Sequence, residues 1–310
     1  DSRHEDGRQL LRRGAEGGWC PLGYFKLNNT FEQDDEMKGF LINLDSSEDR
    51  LRQVEGRLFA TGFVRVSDSP VRWRREALVI ERIPAVDGRK LSESELLKWR
   101  QRERPFWDWT THELTPGEIG CFLSHREFWQ KVVDERLSHA FVLEDDILLA
   151  DDCFKILSSA DWIPSDADFV KLNLFPTNST HTYPVSKPVG LVEGREIRRT
   201  AGRIYGTGCY VITEAAAREC LEHSGKLSLP VDLFMFDSRF SFATEKKIYT
   251  ILPGLAVDGA ASTIEGGRNK DRLNACQHLL KGFYSVARRT KLRLLMRKYA
   301  LSWVRSEFQS

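Results

Sequence analysis

Short apolar runs separated by polar segments recur along the middle of the chain. Their length and composition are typical of buried strands. The predicted strands are 40–44, 79–83, 140–143, 169–174, 209–212 and 247–252. Apolar residues at helical spacing separate the first two strands: Leu51, Val54, Leu58 and Phe59. Because strand, helix and strand follow one another, the pattern predicts an α/β fold with a mostly parallel sheet flanked by helices.

Three helix starts carry recognisable capping residues. Asp45 or Ser46 is expected to cap the first helix. Thr115 precedes Pro116 and is followed by Glu118, which predicts a capping box and a helix that runs to about Leu137. Thr213 is expected to cap an alanine-rich helix over 214–223.

The pattern divides the chain into three parts. Residues 1–36 are polar and predict an extension, 37–270 predict a single α/β domain, and 271–310 predict a basic amphipathic tail. Residues 92–113 are charged and aromatic and are interpreted as an inserted loop or short helices, whereas 175–203 predict a long polar connection. The tail is expected either to lie on an anionic membrane surface or to pack on the domain with a solvated basic face.

Charge and cysteine content narrow the class of protein. The chain of 310 residues has 46 Lys and Arg against 45 Asp and Glu, so no charge bias points to nucleic acid. The six cysteines form no CxxC pair and predict buried free thiols in a reducing compartment. No signal-peptide apolar region and no membrane-length run is visible, so a cytoplasmic location is expected.

The segment HAFVLEDDIL at 139–148 joins a predicted strand to three carboxylates, Glu144, Asp145 and Asp146. Open α/β sheets bind ligands beyond the carboxyl ends of such strands. Adjacent acids there suit Mg²⁺ or Mn²⁺, because both ions prefer hard oxygen ligands. The alternative is an acidic turn between a strand and the next element.

Six blocks of sequence, in this order, resemble glycosyltransferase family 25, which includes lipooligosaccharide galactosyltransferases and collagen hydroxylysine galactosyltransferases. The blocks are FLINLDSSEDR (40–50), ERIPAVDGRKLS (81–92), LTPGEIGCFLSHREFWQ (114–130), FVLEDDI (141–147), GTGCYVIT (206–213) and LPVDLFMFD (229–237). The resemblance covers roughly 38–265 and implies a single-domain GT-A type fold. It also implies transfer of a sugar from a nucleotide diphosphate donor.

The resemblance implies roles for the acidic motif. Asp146 is expected to bind the metal, Mn²⁺ or Mg²⁺, and Glu144 to bind the metal or, with Asp145, the donor ribose. Such an ion would bridge the donor phosphates and neutralise charge on the departing nucleotide diphosphate.

Further donor-binding residues are expected along the other blocks. Asn43 and Leu44 end the first strand, and the Asn43 amide is expected to bind the base, whereas Arg50 pairs with phosphate or a buried acid. Asp87 is expected to hold uracil or ribose, with Gly88 permitting the turn; the alternative is turn chemistry alone. Ser124 and His125 lie on the capped helix, where His125 faces the phosphates or metal, or is a structural hydrogen bonder.

An inverting transferase needs one carboxylate that accepts the proton of the acceptor hydroxyl. Asp232 is the first candidate for this base, with Asp237 and Glu265 as alternatives; the competing interpretation of Asp232 is a helix N-cap. Residues 253–264 depart from the family pattern, which leaves Asp258 and Ser262 without assigned roles.

The sequence therefore predicts a metal-dependent inverting glycosyltransferase that moves a hexose, galactose from UDP-galactose, in lipooligosaccharide or lipopolysaccharide biosynthesis. The expected partners are the nucleotide-sugar donor and an oligosaccharide or lipid-linked acceptor, with no nucleic acid. The expected location is the cytoplasm, with peripheral contact at the inner membrane face through the basic tail. The alternatives are a protein galactosyltransferase of the hydroxylysine type and a catalytically inactive sugar-nucleotide-binding protein.

Overall fold

The computed structural model describes residues 37–102, 113–173, 182–226, 228–238, 241–259 and 275–305. The strands are β1 (Lys38–Asn43), β2 (Val64–Asp68), β3 (Val71–Arg75), β4 (Leu78–Pro84), β5 (His139–Glu144), β6 (Ile147–Leu149), β7 (Phe169–Lys171), β8 (Thr182–Val192), β9 (Arg195–Thr200), β10 (Cys209–Thr213), β11 (Ile248–Leu252), β12 (Ala256–Asp258) and β13 (Ser302–Arg305). The helices are α1 (Glu48–Ala60), α2 (Glu93–Arg100), α3 (Pro116–Asp134), α4 (Cys153–Ile156), α5 (Glu214–His223), α6 (Val231–Phe236), α7 (Ser241–Thr244) and α8 (Ala275–Lys298). A 3₁₀ turn, Gly88–Lys90, follows β4.

Eleven of the described strands form one sheet in the order β13-β8-β9-β11-β7-β10-β5-β1-β4-β3-β2. The predicted α/β class is confirmed, but the prediction of a mostly parallel sheet is wrong. Only β1–β4, β1–β5 and β7–β11 pair in parallel among the described strands. Strand β10 enters antiparallel between β5 and β7, and hairpins extend both sides of the sheet, because directly connected neighbours pair antiparallel.

Both hairpins were absent from the strand prediction. In β2, Val64 and Val66 are 60% and 50% exposed, so no apolar face marks the strand. The predicted polar connection 175–203 instead contains β8 and β9, within which the side chains of Arg195, Ile197 and Thr200 point into the protein. Residues 174–181 of that connection lie outside the described residues.

Helices cover both faces of the sheet, as predicted. Helices α3, α5 and α6 pack with Phe40 and Ile42 on one face, and α1 and α4 pack with Leu41 on the other. The capping box of Thr115 and Glu118 and the cap at Thr213 are confirmed. The first helix begins after Ser47 rather than after Asp45 or Ser46, and no side-chain cap forms there. Phe59, expected on its apolar face, is 49% exposed.

The basic segment near the C-terminus forms α8 and β13. Leu295 and Leu301 are buried together with Ala201, so part of the apolar face of α8 packs on the sheet. Arg289, Arg293 and Arg297 recur every four residues and are exposed. Strand β13 pairs with β8, which makes the end of this segment part of the sheet; the predicted boundaries at 36 and 270 stay predictions. Across the described chain, we find no helix with both the length and the apolar character of a membrane span.

Four cysteines have described side chains, and all four are free thiols: Cys121, Cys153, Cys209 and Cys220. The last three are buried, which agrees with the prediction for them.

Three strands of the fold position the site. Strand β1 lies between β4 and β5 and is parallel to both, so their carboxyl ends meet at one edge of the sheet. In this register Ile42 lies beside Glu144, and Asn43 lies beside Pro84. The polar residues that follow these three strands therefore converge.

Candidate functional site

A cavity of about 660 Å³ opens at this edge of the sheet, within the range of small-ligand sites. Nine of the residues predicted to bind donor or metal line it: Asn43, Leu44, Arg50, Asp87, Gly88, His125, Glu144, Asp145 and Asp146. Three predicted residues lie outside its wall: Ser124, Asp232 and Asp237. Most of the residues predicted for the donor side therefore lie together at one cavity, and their roles in binding stay predictions.

The acidic segment forms one side of the cavity. Glu144 ends β5, and Asp145 and Asp146 form the turn to β6. Arg50 on α1 donates to Asp145 Oδ1 at 3.0 Å and lies 3.6 Å from Asp146 Oδ2. The predicted pairing of Arg50 with an acid is thus present.

Asn43 differs from the prediction that its amide binds a base. Its Nδ2 donates to Asp145 Oδ2 at 2.7 Å and to the Ser47 carbonyl at 3.2 Å. Its Oδ1 accepts from Arg82 Nε at 3.0 Å. Because both amide hydrogens are used within the protein, Asn43 orients Asp145 rather than offering donors to a ligand.

Glu144 ends a chain of buried hydrogen bonds. Trp129 Nε1 donates to the Tyr210 hydroxyl at 3.0 Å, which lies 3.0 Å from His125 Nδ1. His125 Nε2 lies 3.2 Å from Glu144 Oε1, which also accepts from Thr207 Oγ1 at 2.7 Å. In the neutral tautomer that satisfies every group, Tyr210 donates to Nδ1 and the Nε2–H donates to Glu144. His125 is fully buried, and its hydrogen bond fixes the orientation of Glu144 from within the protein.

Glu144 and Asp146 have opposite pKa shifts. Burial raises the pKa of Glu144, but the hydrogen bonds from His125 and Thr207 outweigh it and hold the pKa below its usual value. For Asp146, burial and then the charges of Glu144 and Asp145 raise the pKa to about 7, against the attraction of Arg50. Asp258 adds to this repulsion. The turn therefore carries more negative charge than its protein neighbours balance.

The chemistry of three carboxylates near the turn suits the divalent cation that the resemblance implies. Glu144, Asp146 and Asp258 offer hard carboxylate oxygens, and their mutual repulsion would be relieved by a bound cation. A second cluster is less suitable: the ligand atoms of Cys121, His125 and Glu144 lie within 4.8 Å of one another. Burial raises the pKa of Cys121 well above its usual value, and His125 is already hydrogen-bonded, so this cluster favours the protonated thiol over a metal ligand.

Two backbone segments that line the cavity, at Gly88 and Pro116, lie in close contact. A Cβ on Gly88 would lie 1.6 Å from the Pro116 carbonyl oxygen, and one on Gly120 would lie 2.5 Å from that of Val86. Gly88 does not adopt a positive φ, so it serves close approach rather than the predicted special turn. Ser124 works for the same contact, since its Oγ accepts from the Val86 amide and donates to the Gly120 carbonyl.

Asp87 lines the cavity and also performs the turn chemistry that was its alternative. Its carboxylate caps the 3₁₀ turn by accepting from the Arg89 amide at 3.1 Å, and it accepts from Arg89 Nε at 2.8 Å. The hydrogen bond from Arg89 lowers the pKa of Asp87, so this group is a charged carboxylate at neutral pH.

The two candidate bases differ in accessibility, because Asp232 is partly exposed and Asp237 is not. Asp232 lies in the first turn of α6 but does not cap it, because the N-cap is Pro230. Its carboxylate accepts from the Gly206 amide at 3.1 Å and the Leu233 amide at 2.7 Å, while burial raises its pKa. Asp237 is fully buried and accepts from Arg203 Nε at 3.0 Å, so it presents no surface to an acceptor. Glu265 and Ser262 lie outside the described residues.

Sequence reasoning missed Lys171, Asn173, Thr207 and Tyr210, which link or support the acids. Asn173 Nδ2 donates to Asp258 Oδ1 at 3.3 Å, and this contact gives Asp258 a place beside the site. The polar letters within the apolar runs FVKLNL and GTGCYVIT were the available signal, because a polar residue in a buried strand needs a partner.

Comparison with known proteins adds a family to this geometry. A family model described as glycosyltransferase family 25 (LPS biosynthesis protein) matches residues 37–235. The match includes β1, β4 and β5, the acidic turn, and Asp232.

Three curated relatives illustrate the range of similar proteins. The chain is 30% identical over 154 residues to lipooligosaccharide biosynthesis protein lic2B of Haemophilus influenzae, covering 47% of this chain and 55% of that protein. It is 32% identical over 110 residues to procollagen galactosyltransferase 2 of Mus musculus, covering 35% and 15%. It is 32% identical over 170 residues to inactive glycosyltransferase 25 family member 3 of Mus musculus, covering 50% and 27%. The chain thus matches about half the length of the first relative and less of the other two.

Proposed function

Because the chain belongs to glycosyltransferase family 25, we propose that it transfers a hexose from a nucleotide diphosphate donor to a saccharide acceptor. One observation carries the proposal: Glu144, Asp145 and Asp146 form an under-neutralised acidic turn on a cavity large enough for a nucleotide sugar. Carboxylates in that state suit a cation–diphosphate pair, since the cation balances charge on both sides.

We propose UDP-galactose as the donor and a lipooligosaccharide or lipopolysaccharide core as the acceptor. The support is the similarity to lic2B, named as a lipooligosaccharide biosynthesis protein, and to a procollagen galactosyltransferase. Asp146 and Glu144 would hold Mn²⁺ or Mg²⁺, with Asp258 as a further oxygen ligand. When bound, such an ion stabilises negative charge on the leaving nucleotide diphosphate.

The protein's own residues would orient the donor and accept a proton. Arg50 and Asn43 fix Asp145, and His125 and Thr207 fix Glu144, so the donor-side acids keep one geometry. In an inverting transfer, the acceptor oxygen bonds to the sugar C1 as the C1–O bond to the diphosphate breaks. The acceptor's proton passes to Asp232, whose raised pKa suits a base that works near neutral pH. We propose Asp232 over Asp237 because Asp237 is fully buried.

A protein without turnover is the main competing proposal, since one murine relative carries the name inactive glycosyltransferase 25 family member 3. The acidic turn and the supported Glu144 favour turnover. A protein acceptor of the hydroxylysine type is supported by the similarity to a murine procollagen galactosyltransferase, of which this chain matches 15%.

The test is a donor screen. Purified protein is incubated with a panel of UDP- and GDP-sugars and Mn²⁺, and release of the nucleotide diphosphate is measured. We expect release from UDP-galactose, with or without a saccharide acceptor, and its loss when EDTA is added. A folded protein that releases nothing from any donor would overturn the proposed transferase.

A matched pair of variants connects the activity to the turn. Asp146→Ala is expected to keep the fold but lose Mn²⁺-dependent binding of UDP, measured by calorimetry. Asp151→Ala is the control, because Asp151 is an exposed acid five residues further along the same segment. If Asp146→Ala binds UDP and Mn²⁺ as the parent does, Asp146 is not the metal ligand.

We also propose a cytoplasmic location with electrostatic contact to anionic membrane through the exposed face of α8. Leu295 is buried, so the basic residues Arg289, Arg293 and Arg297 carry the contact. Flotation with anionic vesicles should fall when these three residues are changed to Gln. Truncation is a poorer test, because it also removes β13 from the sheet. Flotation that is unchanged in the triple variant would remove the proposed contact.

A further inference from the structure

Lys171 is a charged residue buried in the centre of the sheet. It ends β7 and has no exposed surface. Its Nζ donates to Asn173 Oδ1 at 2.7 Å, to the Tyr205 carbonyl at 3.3 Å and to the Gly206 carbonyl. All three ammonium hydrogens thus have acceptors, and all three acceptors are neutral oxygens. Burying an ammonium ion is costly, so a site built around one calls for a counter-charge.

The counter-charge is reached through two of these acceptors, Asn173 and Gly206, and through Thr207, the residue after Gly206. Asn173, which accepts from Lys171, donates to Asp258 at 3.3 Å. Gly206, whose carbonyl accepts from Lys171, donates its amide to Asp232 at 3.1 Å. Thr207, the next residue, donates to Glu144 at 2.7 Å. The Lys171 ammonium is therefore linked to three carboxylates from three parts of the fold. Asn173 and Gly206 each provide a direct link, and Thr207 provides a link through the neighbouring residue.

The segment Tyr205–Thr207 connects Lys171 to Asp232 and Glu144. Gly206 has a φ of +75°, which favours glycine and lets its amide and carbonyl point to opposite partners. Without Lys171, the carbonyls of Tyr205 and Gly206 would lose the donor that fixes them, and buried carbonyls without partners are unfavourable. Movement of this segment would displace Asp232 and Glu144 together.

Electrostatics agrees with the geometry. Burial lowers the pKa of Lys171 to about 8, while the charges of Asp258, Asp232 and Glu144 act to raise it. The ammonium form therefore predominates at neutral pH, and in return its charge lowers the pKa of each of the three acids.

We propose that Lys171 is a positioning residue, which holds the segment Tyr205–Thr207 so that Glu144 on the donor side and Asp232 on the acceptor side keep one fixed relation. The activity arm of its test rests on the proposed transferase function. Lys171 itself contacts neither donor nor acceptor; it acts through the segment.

The experiment compares Lys171→Met with Lys246→Met. Lys246 is the matched control because its side chain is only 8% exposed and its ammonium pairs with Glu219, so the same substitution removes a largely buried charge elsewhere. The first measurement is hydrogen exchange over residues 200–210 by mass spectrometry. We expect faster exchange there in Lys171→Met and parental exchange in Lys246→Met. This measurement is independent of any activity, and equal exchange in both variants would overturn the proposal.

The second measurement is release of UDP from UDP-galactose with Mn²⁺, normalised to folded protein. Lys171→Met is expected to lower kcat at least about tenfold, because both acids lose their positions. The acid limb of its kcat profile, which reports deprotonation of the proposed base Asp232, should move to higher pH, because the ammonium charge that lowers the pKa of Asp232 is gone. Lys246→Met should lower the melting temperature alone. Parental kcat and acid limb in Lys171→Met would reduce Lys171 to a structural role.

Two further outcomes remain decisive. If the parent protein releases no UDP from any donor, the proposed function fails, and hydrogen exchange alone decides the role of Lys171. If Lys171→Met does not fold, Thr207→Val carries the test, since it cuts the link from the segment to Glu144 and leaves Lys171 in place. We expect it to lower kcat at least about threefold with an unmoved acid limb; a parental kcat would overturn the proposal.

Discussion

Two carboxylate sites lie on either side of β1, and the pKa values of their carboxylates are shifted in opposite directions. On β4, Glu81 is fully buried and bound by Lys131, Arg72 and Lys38 at 2.6, 2.7 and 3.0 Å. Burial raises its pKa, but these hydrogen bonds outweigh it and hold the pKa at about 2. At the end of β5, Asp146 has three acids and one arginine near it, and burial with the charges of these acids raises its pKa to about 7.

The difference distinguishes a structural charge from a functional one. Glu81 is surrounded by more positive charge than it needs, as expected for a group whose only role is to hold β4, β1 and α3 together. The Asp146 site is left with excess negative charge, which lowers the stability of the folded protein. A cation or a proton taken up from solution would relieve it. The cations around Glu81 are partly exposed, so its energetic contribution is smaller than its pKa alone suggests.

The largest expected effect tests the Asp146 half of the comparison. Asp146→Asn should lower UDP release about 10³-fold, because the charge that holds the cation is lost. In EDTA, the free energy of unfolding of the same variant should be about 1–3 kcal/mol higher than that of the parent, because the repulsion with Glu144 and Asp145 is removed. Urea unfolding measures this change. Asp151→Asn should change neither quantity. Lower stability in Asp146→Asn would show that the turn is not under-neutralised.

The second prediction tests Glu81. Glu81→Gln should lower the free energy of unfolding by about 2 kcal/mol, because three cations lose their common partner. The activity of the folded fraction should stay at the parental value, since Glu81 is remote from the cavity wall. Urea unfolding followed by tryptophan fluorescence measures the change, and a parental midpoint would contradict the prediction.

The third prediction concerns acid. The pKa of Glu81 is lower in the folded protein than its ordinary value of 4.5. Its contribution to the free energy of unfolding is therefore fully present above pH 4.5. It is lost as pH falls from about 4.5 to about 2, because the unfolded chain then binds the proton more readily. The parent should therefore lose about 1–2 kcal/mol more than Glu81→Gln over this range. Parallel pH profiles for the two proteins would rule this out.

The smallest expected effect concerns Arg50, the cation that lies against both aspartates of the turn. Arg50→Gln should destabilise the protein by about 1 kcal/mol in EDTA, because it removes compensating charge from the turn. Added Mn²⁺ should restore most of the loss. An equal loss with and without Mn²⁺ would mean that Arg50 acts through packing rather than through charge.

The sequence predicted the central strands well, and it named residues that the structure brings together at the cavity, because both depend on local patterns. Apolar runs at β1, β4 and β5, and the capping box at Thr115, are signals contained within a few residues. The order of the sheet was harder to predict, since β10 enters antiparallel and β2 exposes its valines. No local pattern specifies either feature.

The roles of individual site residues were also beyond local patterns. Asn43 was correctly placed but wrongly expected to bind a base, because its partners Asp145 and Arg82 are distant in the chain. Lys171 was missed although it interrupts the apolar run FVKLNL, since a lysine in a strand ordinarily faces water. Two of its three acceptors come from a segment more than thirty residues away.

The contact of Gly88 and Gly120 with backbone has a consequence for divergence within the family. Backbone lies against both glycines, so either would clash if it gained a side chain. Changes of donor preference must then accumulate at the remaining side chains of the cavity, among them Ser46, Ser47 and Arg89. Relatives that use different sugars should therefore differ at these three positions while sharing both glycines.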